Sequence, residues 1–458
     1  MDWKEKRVLI CGMARSGVSA AQALCNLGAK VTVSDRKTEE ELDTDLSLLR
    51  SMGCSFLLGS DPGNPAGRFD VVVISPGIPY AAPFVGQSVA AGIPVIGELE
   101  LGAELTHGDL VAITGTNGKT TTTTLTGEFF REAGRRTYVV GNIGYPITET
   151  ALVTNDEDVT VAEVSSYQCE SITDFHPRVA AVLNITEDHL ARHGSMDVYI
   201  GMKKRIFRWQ TEEDYAVLNY DDAECRKMAE GIRAKVLWFS RKEKVGAGAY
   251  VKDGEVVIAG HEKEPVCRTC EIRIPGSHNL ENALAAVAIT YSLGVPIPCM
   301  RKVLLSFPGV EHRIETVREV DGVVWVNDSK GTNVDSTIKA INAMTRPTVL
   351  ILGGSDKKVS FVPLAEAIVA SPLIRRCVLI GDTAEQIKNA LLAAGYKEFR
   401  MAGYDFDRCL AICREEAAAG DCVLLSPACA SFDMFRDYED RGQVFKKKVL
   451  SFVENSGA

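Results

Sequence analysis

Short, wholly apolar runs alternate along the chain with longer stretches whose apolar positions recur every three or four residues. That is the pattern of buried parallel strands joined by crossover helices. In the first third, strands are predicted at 8–11, 30–34 and 70–75, with a helix over 18–27, a βαβ arrangement. The middle of the chain predicts strands at 110–113, 137–140, 159–164, 179–184, 215–219 and 235–239. Residues 250–258, broken by Lys252-Asp253-Gly254, read as a hairpin, and a helix over 279–293 closes this part before Phe307-Pro308-Gly309. The last part predicts strands at 323–326, 348–352, 377–380 and 422–426 with helices at 361–370, 383–394 and 408–418. The expectation is an α/β protein of three domains, 1–97, 98–308 and 309–458, with ligands at the carboxyl ends of the strands and function between domains.

One strand end carries the clearest chemistry. The run Ile113-Thr114-Gly115-Thr116-Asn117-Gly118-Lys119-Thr120-Thr121 joins an apolar strand to a glycine turn, a lysine and paired hydroxyls. Backbone amides of such a turn and the following helix N-terminus attract phosphate, the lysine adds a mobile cation, and a threonine hydroxyl can ligate Mg²⁺. The common pattern G-x-x-x-x-G-K-[ST] would require glycine where Ile113 stands, so this loop is a shortened form. Near the N-terminus, Gly12-Met13-Ala14-Arg15-Ser16-Gly17 approximates a dinucleotide fingerprint with alanine at the middle glycine. Asp35 stands where a ribose-reading carboxylate is expected.

Composition narrows the classes. A chain of 458 residues with 46% hydrophobic and 24% charged residues is globular and too long for one core. The net charge of −10 argues against a nucleic-acid surface, and no apolar run approaches the ~20 residues that cross a bilayer, so the expected location is the cytoplasm. Thirteen cysteines scattered through apolar segments read as buried thiols. Cys267-x-x-Cys270 has zinc spacing but lacks a second pair nearby. Glu163-Val164-Ser165-Ser166 and Asn184-Ile185-Thr186-Glu187-Asp188-His189 end two strands beside the lysine loop, where a carboxylate and an imidazole suit Mg²⁺. His189-x-x-x-His193 is not a metalloprotease helix, because Leu190 stands where glutamate is needed.

Taken together, the loop 114–121, Gly141-Asn142-Ile143-Gly144, the two strand ends just described, Gly276-Ser277-His278-Asn279 with Asn282, His312-Arg313 and Asn327-Asp328-Ser329-Lys330 resemble the Mur ligase superfamily over essentially the whole chain. The resemblance implies an N-terminal Rossmann-like UDP-binding domain, a central P-loop ATPase-like domain and a C-terminal Rossmann-like domain that binds an amino acid. Ser75-Pro76-Gly77-Ile78-Pro79 and the run Ser426-Pro427-Ala428-Cys429-Ala430-Ser431-Phe432-Asp433 resemble the branch that adds D-glutamate to UDP-N-acetylmuramoyl-L-alanine with ATP, a step of cell-wall precursor synthesis.

The resemblance also implies roles. Gly115, Thr116, Asn117, Gly118, Lys119, Thr120, Thr121, Asn279, Asn282, Arg313 and Asp328 are expected around ATP. Thr120 and Glu163 are expected on one Mg²⁺, and His189 and a carbamylated Lys203 on a second; Lys119, His189 and Lys203 are the expected catalytic residues. An unmodified ammonium would repel the metal, whereas a carbamate carries negative charge. Arg15, Ser16, Asp35, Arg36, Gly77 and Asn142 are expected on the UDP substrate. Lys330, Thr332, Lys357, Ser431, Phe432 and Tyr438 are expected on D-glutamate, although Asp356-Lys357-Lys358 leaves the choice of lysine open. A monomer is expected. The alternatives are another ligase of the superfamily, a folylpolyglutamate-synthetase-like enzyme, an NAD-dependent oxidoreductase, which leaves Lys119 unexplained, and a non-catalytic nucleotide-binding regulator.

Overall fold

A computed structural model describes residues 1–42 and 44–453. Among these residues the strands gather into three sheets. In the first, β1 (Arg7–Cys11), β2 (Lys30–Asp35), β3 (Ser55–Leu58), β4 (Val71–Ile74) and β5 (Val95–Gly97) run parallel in the order β3-β2-β1-β4-β5. The order reverses between β1 and β4, which opens a crevice just beyond Cys11, where the glycine turn begins.

The second sheet contains β6 (Asp109–Thr114), β7 (Thr137–Gly141), β8 (Val159–Glu163), β9 (Val179–Val182), β10 (Tyr215–Asn219), β11 (Lys235–Ser240), β12 (Gly248–Lys252), β13 (Glu255–Ile258) and β14 (Cys267–Arg268). Their order is β14-β13-β12-β11-β10-β9-β6-β8-β7. The predicted hairpin is present: β12 and β13 are antiparallel, and Asp253 and Gly254 both take positive φ in the turn, as its two-residue geometry demands. Strand β6 lies between β8 and β9, so the lysine loop leaves the sheet where the order reverses.

The third sheet is β15 (Glu315–Val320), β16 (Val323–Asn327), β17 (Thr348–Gly353), β18 (Ile374–Ile380), β19 (Phe399–Gly403) and β20 (Cys422–Leu425), ordered β15-β16-β20-β17-β18-β19. Only the pairing of β15 with β16 is antiparallel. Alternate residues feed two cores: Leu350, Leu352, Leu379 and Leu424 on one face, Val349, Ile351, Val378 and Leu425 on the other.

The chain forms two compact units. One comprises Met1–Ile185, Ser195–Glu271 and Glu281–Ser306; the other comprises Thr186–Gly194, Ile272–Leu280 and the chain from Phe307 onward. The first two sheets share the first unit through the helix Glu98–Leu105, which follows β5 directly. Gly102 on this helix admits Ile147, whose side chain a Cβ would overlap. Two buried carboxylates fasten the joint. Glu98 Oε1 accepts from the Thr148 amide (2.9 Å) and hydroxyl (2.7 Å), and the Thr148 hydroxyl lies 2.8 Å from that of Ser19. Glu100 accepts from the amides of Thr173 (3.1 Å) and Asp174 (2.7 Å).

Candidate functional site

Strand β6 delivers its loop in a tightly held form. The Thr116 amide donates to the Asn184 carbonyl and the Asn117 amide to Asn184 Oδ1, each at 2.9 Å, while Asn184 Nδ2 returns a bond to Asn117 O at 3.0 Å. These two amides are therefore occupied. The helix Lys119–Glu132 begins directly after them, and the amides of its first turn are the ones that no helical carbonyl reaches. Gly118 has φ 85°, and a Cβ there would overlap the Asn282 side-chain oxygen. Glycine is required on both counts.

Two lysines converge here. Lys119 Nζ donates to the carbonyls of Gly115 (2.9 Å) and Thr116 (2.8 Å). Lys203, 1% exposed on the helix Met196–Lys204, donates to the same Gly115 carbonyl at 2.8 Å and lies 4.8 Å from the Tyr199 ring centroid. Tyr199 in turn bonds the Thr116 hydroxyl at 3.1 Å. Register places Glu163 beside both Ile113 and Gly141, and its buried Oε1 accepts from Asn142 Nδ2 at 2.9 Å. Thr120 is buried in the first turn. A carboxylate and a hydroxyl beside the lysine loop are hard oxygen donors, a donor type that suits Mg²⁺.

At the end of β1 the first sheet opens into a cavity of about 450 Å³. Asp35, Arg36 and Gly77 line it, together with Asp61, Pro62 and Phe84, which the sequence reading did not single out. Asp35 Oδ2 accepts from the Met13 amide (2.7 Å) and Oδ1 from the Lys37 amide (2.9 Å), so it shapes the glycine turn as well as facing the cavity. Arg36 pairs with Asp61 at 2.6 Å. Arg15 and Ser16 begin the helix Arg15–Asn26 at the glycine turn rather than lining the cavity, and Arg15 reaches the Gly144 carbonyl at 3.5 Å. Asn142 lies not at this cavity but against Glu163.

In the second unit the expected residues gather at the carboxyl ends of three neighbouring strands, β16, β20 and β17. Asp328 is fully buried; its Oδ2 accepts from the Ser426 hydroxyl at 2.7 Å, and burial pushes its carboxyl up to about 6 against the opposing charge of Arg313. Arg313 sits between His312 (φ 63°) and Ile314 (φ 45°), and among the described residues its buried Nε has no hydrogen-bond partner. A β-branched residue at positive φ is strained, which marks this turn as built for a purpose. Burial also lowers the imidazole of His312. Lys330 Nζ lies 5.1 Å from the Tyr438 ring centroid, and Thr332 follows on the same loop. Ser431 is buried, whereas Phe432 is 73% exposed. Lys357 is half-buried near Cys429, whose thiol burial pushes up to about 11 against the Thr383 hydrogen bond and the charges of Arg441 and Lys357; Lys358 is exposed with φ 56°.

Arg441, missed from sequence, ties these loops together. Its buried guanidinium donates to Ser329 Oγ (2.9 Å) and O (2.7 Å) and to the carbonyls of Cys429 (3.2 Å) and Ala430 (3.3 Å). Burial lowers it to about 10. His189 belongs to this unit's segment Thr186–Gly194, with φ 55°; Asp188 Oδ1 accepts its amide (2.9 Å) and Asp188 Oδ2 lies 3.5 Å from its Nε2. Asn333 Nδ2 holds Asp188 at 3.4 Å. Asn279 donates to the Pro275 carbonyl at 2.6 Å, one turn before Asn282 on the helix Ser277–Ser292. The acidic group Glu311, His312 and Glu315 closes around Lys446, 2.7 and 2.5 Å from the two carboxylates, and is an ion-paired cluster.

Comparison with known proteins matches this architecture segment by segment. Residues 6–97 match the Mur ligase MurD-like N-terminal domain, 113–290 the Mur ligase middle domain, and 312–429 the Mur ligase glutamate ligase domain. The chain is 45% identical over 451 residues to the UDP-N-acetylmuramoylalanine--D-glutamate ligase of Clostridioides difficile, covering 98% of this chain and 99% of that one. It is also 45% identical over 454 residues to the enzyme of that name from Alkaliphilus metalliredigens, with 98% and 99% covered. Among solved structures, the UDP-N-acetylmuramate-alanine ligase MurC of Thermotoga maritima matches with a TM-score of 0.62 at 18% identity, over 97% of this chain and 99% of that one. The MurF ligase of Thermotoga maritima in complex with ADP gives 0.58 at 17%, over 98% and 96%. These distant structures share the fold; the full-length relatives and the three matched segments show that the chain belongs to the Mur ligase family.

Proposed function

We propose that the chain is an ATP-dependent amide ligase that joins D-glutamate to UDP-N-acetylmuramoyl-L-alanine. The observation that carries this reading is the convergence of Lys119 and Lys203 on one loop carbonyl with Glu163 at the end of the adjacent strand, in a chain 45% identical to relatives of that name. Residues 1–97 bind the UDP moiety, 98–308 bind ATP, and 309–458 bind the amino acid. The protein acts in the cytoplasm as a monomer; among the described residues no helix is long and apolar enough to cross a membrane.

A carboxylate does not acylate an amine, because oxide is a poor leaving group. The alanyl carboxylate oxygen therefore attacks the γ-phosphorus of ATP, releasing ADP and giving an acyl phosphate. The D-glutamate amine then attacks the acyl carbon, loses a proton, and phosphate departs as the C–O bond breaks. The reacting groups are anionic at every stage, so cations and aligned dipoles must lower the barrier. Lys119 exchanges its loop carbonyls for phosphate oxygens. The amides of Gly118, Thr120 and Thr121 hold the phosphates in line, while Asn279 and Asn282 face the adenine, Arg313 a phosphate through its unpartnered Nε, and Asp328 the ribose. Thr120 and Glu163 would hold one Mg²⁺, and His189 and carbamylated Lys203 a second; bound there, the ions neutralise phosphate charge. Lys330, Thr332, Lys357, Ser431, Phe432 and Tyr438 receive D-glutamate, whose two carboxylates need cations. Arg15, Ser16, Asp35, Arg36 and Gly77 hold the UDP end, with Asn142 toward the acyl end.

The test is phosphate release from ATP, assayed with each substrate alone and together. Release only when UDP-N-acetylmuramoyl-L-alanine and D-glutamate are both present supports the reading. Equal turnover with L-glutamate, or a requirement for a nicotinamide cofactor, overturns it.

A further inference from the structure

Outside the residues assigned above, one hollow on the first unit differs from the rest of this acidic chain. It encloses about 340 Å³ where the helix Met196–Lys204 ends, and Lys204, Arg205, Arg208 and Arg233 line it with no carboxylate among the lining residues. A net charge of −10 makes four cations around one small hollow a local feature rather than a reflection of composition. The sequence alone shows three adjacent basic residues, 203–205, which read as a solvated helix face. The structure divides them: Lys203 turns inward to the Gly115 carbonyl, whereas Lys204 and Arg205 are half-buried in the wall of the hollow.

The partners of these cations are neutral. Lys204 Nζ donates to the Glu230 carbonyl at 2.8 Å, and Arg205 Nη1 to the carbonyls of Glu170 (2.8 Å) and Cys169 (3.3 Å). Arg208 stacks 5.6 Å from the centroid of Trp209. Lys204, Arg208 and Arg233 form no ion pair with a carboxylate among the described residues. Carbonyls orient a cation without cancelling its charge, so the hollow keeps an unbalanced positive potential. Guanidinium forks match phosphate oxygens in bidentate geometry, and a pocket of a few hundred Å³ suits a small ligand rather than a protein surface.

We propose that this hollow is a second anion site, separate from the phosphate loop, that binds a small phosphate-bearing molecule. Its position gives occupancy a mechanical consequence. The anion would rest on the outer face of the helix whose inner face carries Lys203. It would also engage Arg205, which reaches the segment following β8 and Glu163.

Trp209 is a built-in reporter, being partly exposed and stacked on Arg208. The full-length protein is first saturated with Mg²⁺ and a non-hydrolysable ATP analogue, so that the phosphate loop is filled. Inorganic phosphate, pyrophosphate and glycerol phosphate are then titrated in separate arms while tryptophan fluorescence is followed at constant ionic strength. The expected result is a saturable change with at least one of the three, the best arm identifying whether a free phosphate, a diphosphate or a phosphomonoester is preferred. In the double variant R208A/R233A the affinity falls about tenfold or more, as expected for loss of two charge-assisted contacts. Trp209→Phe removes the signal but not binding measured by equilibrium dialysis. A response matched by sodium chloride, no saturation in any arm, or an unchanged affinity in an R208A/R233A protein of wild-type melting temperature overturns the proposal.

Discussion

Glu98→Gln isolates the buried joint between the first two sheets. The carboxyl is 2% exposed, and burial pushes it from its ordinary 4.5 up to about 7 despite two donors from Thr148. A folded-state value above the unfolded one means that the folded protein keeps a proton the unfolded chain releases. The corresponding stabilisation is complete below about pH 4.5 and is lost as pH rises through about 7. At about 1.4 kcal/mol for each pH unit between those values, the loss amounts to about 3 kcal/mol. Glutamine keeps the oxygen that accepts from Thr148 and cannot ionise. It does place an amide where Glu98 Oε2 has no partner among the described residues, a cost of about 1–3 kcal/mol that does not vary with pH. Urea unfolding of both proteins, run at about pH 5 and about pH 8.5, gives the two stability differences. The variant should gain about 3 kcal/mol on the wild type between the two conditions, whatever its absolute stability. A difference that stays constant with pH refutes the reasoning.

Lys203→Ala should lower turnover by at least on the order of 10²-fold, and added short carboxylic acids such as acetate should restore part of it; unaltered turnover removes Lys203 from the metal side of the site. Gly118→Ala, which places a Cβ at φ 85° against Asn282, should raise the KM for ATP about tenfold or more while leaving affinity for the UDP substrate unchanged, as measured by steady-state kinetics and calorimetry. Arg441→Met should cost about 2–4 kcal/mol, because the carbonyls of Ser329, Cys429 and Ala430 lose their donor, and should raise the KM for D-glutamate more than that for ATP. Equal effects on both KM values would show that Arg441 supports the fold without positioning the loops.

The parallel strands were legible because they are buried on both faces and therefore apolar from end to end; Val8–Cys11, Val71–Ile74 and Cys422–Leu425 stand out against any background. Several edge strands were not, although Thr137–Gly141 was. Ser55–Leu58, Glu315–Val320 and Phe399–Gly403 carry exposed or partly exposed residues, and Glu315–Val320 includes the charged Glu315, Arg318 and Glu319, as an edge strand tolerates. The lysine loop was readable because its chemistry is contiguous. Asn184 and Arg441 were not readable as clamps, since each acts by reaching backbone groups distant in sequence. Asp35 shows the converse: its position announced a ribose contact, while the structure adds two backbone amides to its partners. Residues Lys203 to Arg205 look alike in sequence, and only the helix phase separates the inward lysine from its outward neighbours.

The central claim is that the γ-phosphate of ATP is transferred to the alanyl carboxylate before the amide forms. It is tested most directly by isotope transfer. UDP-N-acetylmuramoyl-L-alanine labelled with ¹⁸O in its terminal carboxylate is turned over with ATP and D-glutamate, and the released phosphate is analysed by phosphorus-31 NMR or mass spectrometry. The account predicts one ¹⁸O atom in each phosphate, because the carboxylate oxygen that attacks phosphorus leaves with it. Phosphate free of label, in a reaction that still forms the amide, would contradict it.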